Sequence, residues 1–190
     1  MAQTLYVGID VSGKSNTVCL MDGDGEQLEK VFTMTNNYPG AQRLEDHIVR
    51  VMEKKGFGKL KIGAESTAFF DLHLVDFLAS SERLEPYDTL VYQLNPRLVS
   101  GFKKAYAHNE KTDTVDAFVI ADRLRFGRLP EPYQLHEKFI PLRRLTRYRS
   151  HLVHTIVKEK NYFLSHLFLK YSSFFDVKPF SKTFGETSLS

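Results

Sequence analysis

The sequence predicts an α/β chain: a mixed five-stranded sheet flanked by helices, followed by a long basic helical arm. Three observations carry this. First, short apolar stretches of strand period and longer ones of helical period follow one another in the order βββαβαβα through Phe126. Second, no glycine or proline occurs from Leu142 to Tyr171, where apolar residues keep helical spacing. Third, the charge divides. Residues 1–137 hold 16 Lys and Arg against 20 Asp and Glu, a balance of −4, whereas residues 138–190 hold 10 against 3, a balance of +7.

The first strand covers residues 4–10, where Leu5, Val7 and Ile9 alternate with Tyr6 and Gly8 before Asp10. The second covers Ser15 to Met21, and Asp22-Gly23-Asp24-Gly25 is a strong turn signal. The third runs from Gln27 to Met34, completing an antiparallel meander. Pro39-Gly40 opens a helix that runs to about Lys55, with Leu44, Ile48, Val51 and Met52 on one face and Gly56 and Gly58 at its end. Residues 60–65 form the fourth strand, ending on Glu65. Phe69 to Ala79 is helical, with Phe70, Leu74 and Phe77 as a stripe. Thr89 to Leu94 is the fifth strand. Asn95-Pro96 starts a helix, because Asn caps and Pro suits a first turn. His108-Asn109 reads as a loop, Thr112 as a cap, and residues 113–126 as a helix closed by Gly127. The crossovers after the third strand place the fourth and fifth parallel to the first, so the first is central with the fourth beside it.

Domain boundaries follow: 1–130 for the sheet domain, 138–175 for the arm, and 176–190 for a connecting tail without usable periodicity. Pro130 and Pro132 mark the junction. The arm is either one long helix or two. No apolar run approaches the roughly 18 residues of a membrane span, so no membrane partner is expected. The N-terminus lacks the basic and apolar regions of a signal peptide. Cys19 is the single cysteine, which excludes internal disulfides and fits a reducing cytoplasmic compartment, with Cys19 itself a small buried hydrophobe.

Four acids stand out. Asp10 ends its apolar stretch near the middle of the sheet, where a lone carboxylate is costly without a partner, a proton or a metal. The fold places Glu65 beside it. Asp113 and Asp116, three apart, share one helical face, whereas Asp122 lies about 240° round the axis and reads as a surface residue. Taken alone, Asp10 reads as a surface turn aspartate, and a helix dipole explains Asp113 better than Asp116. Clustered carboxylates suit hard cations, Mg²⁺ or Mn²⁺, and two such ions could clamp a phosphodiester. Lys14 and Lys111 lie beside the acids and either hold a phosphate or are surface lysines.

These residues also carry a family resemblance. G-I-D-V-S-G-K at 8–14, G-A-E-S-T at 63–67, N-P at 95–96 and K-T-D-T-V-D-A-F-V-I-A-D-R-L at 111–124 resemble the N-terminal domain of DEDD transposases. That insertion-sequence family includes the Piv-type invertases and the bridge-RNA-guided recombinases. L-R-R-L-T-R-Y-R-S-H-L-V at 142–153 is similar to the family's basic helical linker. The resemblance spans about residues 4–170. It implies an RNase H-like fold of the RuvC type, metal ligation by Asp10, Glu65, Asp113 and Asp116, and DNA strand cleavage and exchange. In several members a structured guide RNA is held as well. It also implies a C-terminal domain with a nucleophilic serine, so that residues 1–190 are expected to be the acidic half of a longer recombinase.

In the arm, Arg143, Arg144, Arg147, Arg149, Lys158 and Lys160 punctuate the apolar pattern. Their charges suit DNA or RNA phosphates, and the apolar stripe suits pairing with a second copy. Two other readings start from the same residues. An actin-like ATPase or sugar kinase also begins with an apolar strand and G-I-D, but it needs a Gly-rich nucleotide loop that does not follow here. A nucleic-acid-binding RNase H-like module without chemistry would not need all four acids.

Overall fold

The computed structural model describes residues 3–66, 69–106, 113–134 and 139–189. It divides into two compact units, Met1–Leu135 and His136–Ser190. Among the described residues, no helix is long and apolar enough to cross a membrane.

The first unit is built on five strands: β1 (Thr4–Val11), β2 (Ser15–Met21), β3 (Phe32–Thr35), β4 (Lys59–Glu65) and β5 (Leu90–Leu94). Their order is β3-β2-β1-β4-β5, with β2 and β3 antiparallel and β4 and β5 parallel to β1. This is the mixed sheet that the sequence predicts, with β1 central, and its order is that of the RNase H-like fold.

Strand alternation divides the sheet's side chains between two layers. Leu5, Val7, Ile9, Leu60 and Ile62 pack with α1 (Tyr38–Lys55) and α2 (Leu72–Ala79) in the larger core. On the other face lies α4 (Asp113–Phe126), with Val119, Ile120 and Leu124 against Tyr92 and Leu94 of β5. α3 (Pro96–Lys103) follows β5, and Asn95 caps it by accepting from the Arg97 amide at 2.9 Å. α1 is capped by Asn37, which accepts from the Gly40 amide, and closes on Gly56 at φ 72°. Cys19 is buried under α4, as expected, and burial pushes its thiol up to about 12.

Two boundaries differ from the sequence reading. The third strand does not begin at Gln27: that residue makes a single bridge to Met21, and the ladder resumes only at Phe32. Between them Leu28 turns into the core and Glu29 turns to His47 on α1, which draws the chain out of the sheet. α2 begins at Leu72 rather than Phe69, so Phe69 and Phe70 are exposed instead of lying on the helix stripe. Asp71 precedes it, fully buried, and accepts from Gln93 Nε2 of β5 at 2.7 Å. The expected loop at His108-Asn109 and the cap at Thr112 lie outside the described residues.

The second unit contains α5 (Phe139–Lys170), one continuous helix of 32 residues, about 48 Å long at 1.5 Å per residue. Pro141 falls in its first turn, where a missing amide is tolerated. Two short turns, α6 (Phe174–Val177) and α7 (Glu186–Leu189), follow.

Candidate functional site

The site is set by how closely α4 lies on the sheet. Gly8 on β1 faces it, and a Cβ there would stand 2.3 Å from the Ala117 carbonyl oxygen and 2.4 Å from the Ala121 nitrogen. Gly63, its register partner on β4, faces the Leu124 side chain, which a Cβ there would approach to 2.9 Å. Bare glycines on two neighbouring strands and small alanines one turn apart on the helix allow backbone to approach backbone.

That contact sets where the acids go. Asp10 lies two residues beyond Gly8 on β1, and Glu65 two beyond Gly63 on β4, so both project to the α4 face. The parallel register runs to Ile9 beside Ala64, and the next step along both strands is Asp10 and Glu65. Asp116 is next to Ala117 on the apposed helix. The Glu65 carboxyl is held above its usual range, first by burial and then by the charges of Asp10 and Asp116, with Lys103 opposing. Three of the four predicted acids therefore share one electrostatic neighbourhood. The backbone of Asp113 opens α4, and its side chain lies outside the described residues.

Sequence reasoning missed Lys103. It is the last residue of α3, and its Nζ donates to Asp116 Oδ1 in an ion pair whose two side chains are only 22% and 20% exposed. Nothing in residue spacing links a lysine on one helix to an aspartate thirteen positions later on another. Gly8 did leave a signal, since glycine inside a strand often marks a close backbone approach.

The connections at this end of the sheet are tied together. Asn36 Nδ2 donates to the Ser12 carbonyl at 2.7 Å and the Phe70 carbonyl at 3.1 Å, and Asn16 Nδ2 donates to Asn36 Oδ1 at 3.0 Å. The turn after β1 is thereby joined to the segment after β4. Asp122 is not the surface residue expected: its side chain is 13% exposed, accepts from the Tyr106 hydroxyl and pairs with Arg125. Its role is to join α4 to the chain after α3, and burial, together with the bond to its carboxylate, raises the Tyr106 hydroxyl above its usual range.

Among the described residues, no group of three or more His, Cys, Asp or Glu side chains is arranged to hold a metal ion. Asp116 is instead engaged by the Lys103 ammonium. The donor set nevertheless fits a hard divalent cation, because it consists of carboxylate oxygens whose mutual repulsion a cation relieves.

Of the predicted phosphate contacts, Lys14 is exposed in the turn after β1, on the strand that bears Asp10. Lys111 lies outside the described residues. Arg143, Arg144, Arg147, Arg149, Lys158 and Lys160 are all exposed along α5, with Lys160 also over the Phe184 ring at 5.1 Å.

Residues 7–171 match the family model of the DEDD transposases of the IS110 type, described as Transposase. No curated protein matches the sequence. Among solved structures, the chain is similar to a Thermus thermophilus RuvC structure at 12% identity, covering 68% of this chain and 99% of that one with a TM-score of 0.46. It is also similar to T. thermophilus RuvC in complex with Holliday junction substrate, at 13% identity, 70% and 100% coverage and a TM-score of 0.44.

Proposed function

The chain belongs to the DEDD transposase family, a membership that implies nucleic-acid processing by metal-dependent catalysis, and from it we propose that this chain is the acidic catalytic half of a DNA recombinase. The observation that carries the reading is the convergence of Asp10, Glu65 and Asp116 from β1, β4 and α4 onto one face of the sheet. Asp113, one helical turn before Asp116, is proposed as the fourth ligand. The cation is Mg²⁺ or Mn²⁺, in two copies, and when bound it supplies charge neutralisation at a scissile phosphate. The protein's part is positional. The glycine contact at Gly8 sets the spacing of helix and strand acids, the Asn36 tether fixes the end of β1, and Lys14 offers a cation to a phosphate oxygen. By the family resemblance, the covalent step falls to a serine in a further domain reached through residues 176–190, and a structured guide RNA is a second partner. Calorimetric titration of Mn²⁺ into the full chain tests the reading: binding by the wild type that Asp10→Asn abolishes supports it, and no binding, or binding that survives this substitution, refutes it.

We assign the arm two roles. Its basic residues contact phosphates, and each such contact steepens the salt dependence of binding by about 0.9 in logarithmic slope. Arg143→Ala combined with Arg147→Ala is expected to lower the slope by about 2 in titrations at several salt concentrations. An unchanged slope would place the phosphate contacts elsewhere.

Its apolar residues are proposed to pair with a second copy. Leu142, Leu145, Tyr148, Leu152, Ile156 and Phe163 are each between 42% and 65% exposed within the chain, a larger apolar surface than a soluble helix usually leaves bare. Leu152→Glu is expected to shift the chain towards monomer in light scattering, because a charge buried without a partner is costly. A wild-type chain that is monomeric at every concentration refutes the pairing.

A further inference from the structure

We infer that Lys103 is a resident counter-cation of the acidic site: its ammonium holds Asp116 until a divalent metal ion takes that carboxylate, and then turns to a backbone phosphate of the bound nucleic acid. The inference rests on the reading of the acids as metal ligands and goes beyond it by assigning a residue outside the acid set. It starts from the juxtaposition of the Lys103 ammonium on α3 with Asp116 on α4, within electrostatic reach of Glu65.

The placement is built rather than incidental. Phe102, the residue before it, packs against Tyr106 and against Phe126 of α4 at ring separations of 5.8 and 5.6 Å, and the Arg123 guanidinium lies 5.6 Å over its ring. These contacts pin the end of α3 to α4 and deliver Nζ to the acids. Because both partners are mostly withdrawn from water, their attraction is screened less than on an open surface. Without metal, the ammonium offsets the repulsion that Asp116 and Glu65 would otherwise exert on each other.

A divalent ion and an ammonium compete for the same negative charge, so a metal ion taking the Asp116 oxygen that Lys103 holds displaces the ammonium. The released ammonium carries three donors and no acceptor, and in a half-buried position it needs an anion. A phosphate seated at the metal site is such an anion. Metal and nucleic acid are therefore coupled through Lys103, each strengthening the binding of the other by the same factor. The device keeps the empty site neutralised and favours metal loading when substrate is present.

The test is calorimetric titration of Mn²⁺ into the full chain and its Lys103→Met, Lys103→Gln and Lys103→Arg variants, with and without a short DNA duplex. In the absence of DNA, Lys103→Met and Lys103→Gln should bind Mn²⁺ ~10-fold more tightly than wild type, while Lys103→Arg should not gain affinity. Duplex should tighten Mn²⁺ binding ~5-fold or more in wild type and by a smaller factor in the neutral variants. Neutral variants that fold only with Mn²⁺ also support the inference, since an external cation then replaces the internal one. Neutral variants that bind Mn²⁺ as wild type does, or more weakly, overturn it, and so do variants that stay unfolded with Mn²⁺. Absence of Mn²⁺ binding by the wild type overturns the metal reading of the acids and this inference with it. Wild-type binding lost in Asp10→Asn but unaltered by Lys103 replacement overturns the inference alone.

Discussion

Gly8→Ala is expected to destabilise the chain by about 3 kcal/mol, at the upper end of what an added methyl group costs in a packed interior. In a unit of this size the melting temperature should fall by roughly 10 °C. The new Cβ would stand 2.3 Å from one backbone atom of α4 and 2.4 Å from another, so no side chain can swing aside to admit it. Trimming Ala121 to glycine should not rescue the variant, because the obstruction is the Ala117 carbonyl and the Ala121 amide rather than a methyl group. The helix must move away from β1, carrying Asp116 from Asp10. A displacement near 1 Å at a catalytic group can cost ~100-fold in rate. Two controls sharpen the result. Gly23→Ala has nothing within 4 Å and should change stability by less than about 0.5 kcal/mol. Gly63→Ala first meets the Leu124 side chain, which can rotate, and should fall between the two. Urea denaturation of the three variants measures this series. Equal stability of Gly8→Ala and Gly23→Ala would mean that α4 does not sit on β1 as described.

Strand order and the pairing of Asp10 with Glu65 are legible in the sequence because each depends on short-range signals. Period-two apolar runs mark the strands, and crossover length decides parallel from antiparallel. Once β1 and β4 are parallel neighbours, the register leaves their terminal acids adjacent. The features that escaped are those in which tertiary contacts override local pattern. The third strand is shortened because Glu29 finds His47 on another element. α2 starts late because Asp71 is committed to Gln93 on β5. Asp122 looks exposed by helix angle, yet the chain after α3 folds over it and supplies Tyr106. Lys103 escaped for the same reason: its partner is set by the packing of two helices. The question whether the arm is one helix or two is answered by α5 running unbroken from Phe139 to Lys170, and the missing Gly and Pro are the local reason.

Replacing Glu65 separates the charge of the acidic site from its structure. In the absence of divalent metal, the Glu65 carboxyl binds its proton more tightly in the folded chain than in the unfolded one, because burial and the charges of Asp10 and Asp116 disfavour its anion. Between the ordinary value of 4.5 and the raised folded value, the folded state therefore carries more protons. Stability accordingly falls as pH rises through that window and is regained on acidification. Glu65→Gln removes this dependence, since an amide of the same shape carries no charge at any pH in the range. In chelator, the variant should thus match the wild type near pH 4 and exceed it at pH 7. Mn²⁺ should reverse the order. A ligand at 100 times its dissociation constant stabilises the wild type by about 2.7 kcal/mol per site, a gain that the variant, having lost a carboxylate oxygen donor, should largely forfeit. Thermal melts across pH 4–8, with chelator and with Mn²⁺, read both effects in one experiment. A variant that keeps the full Mn²⁺ gain would show that Glu65 is not a ligand. A variant no more stable than wild type at pH 7 in chelator would show that its charge is already offset within the apo protein, to which the Lys103 charge contributes.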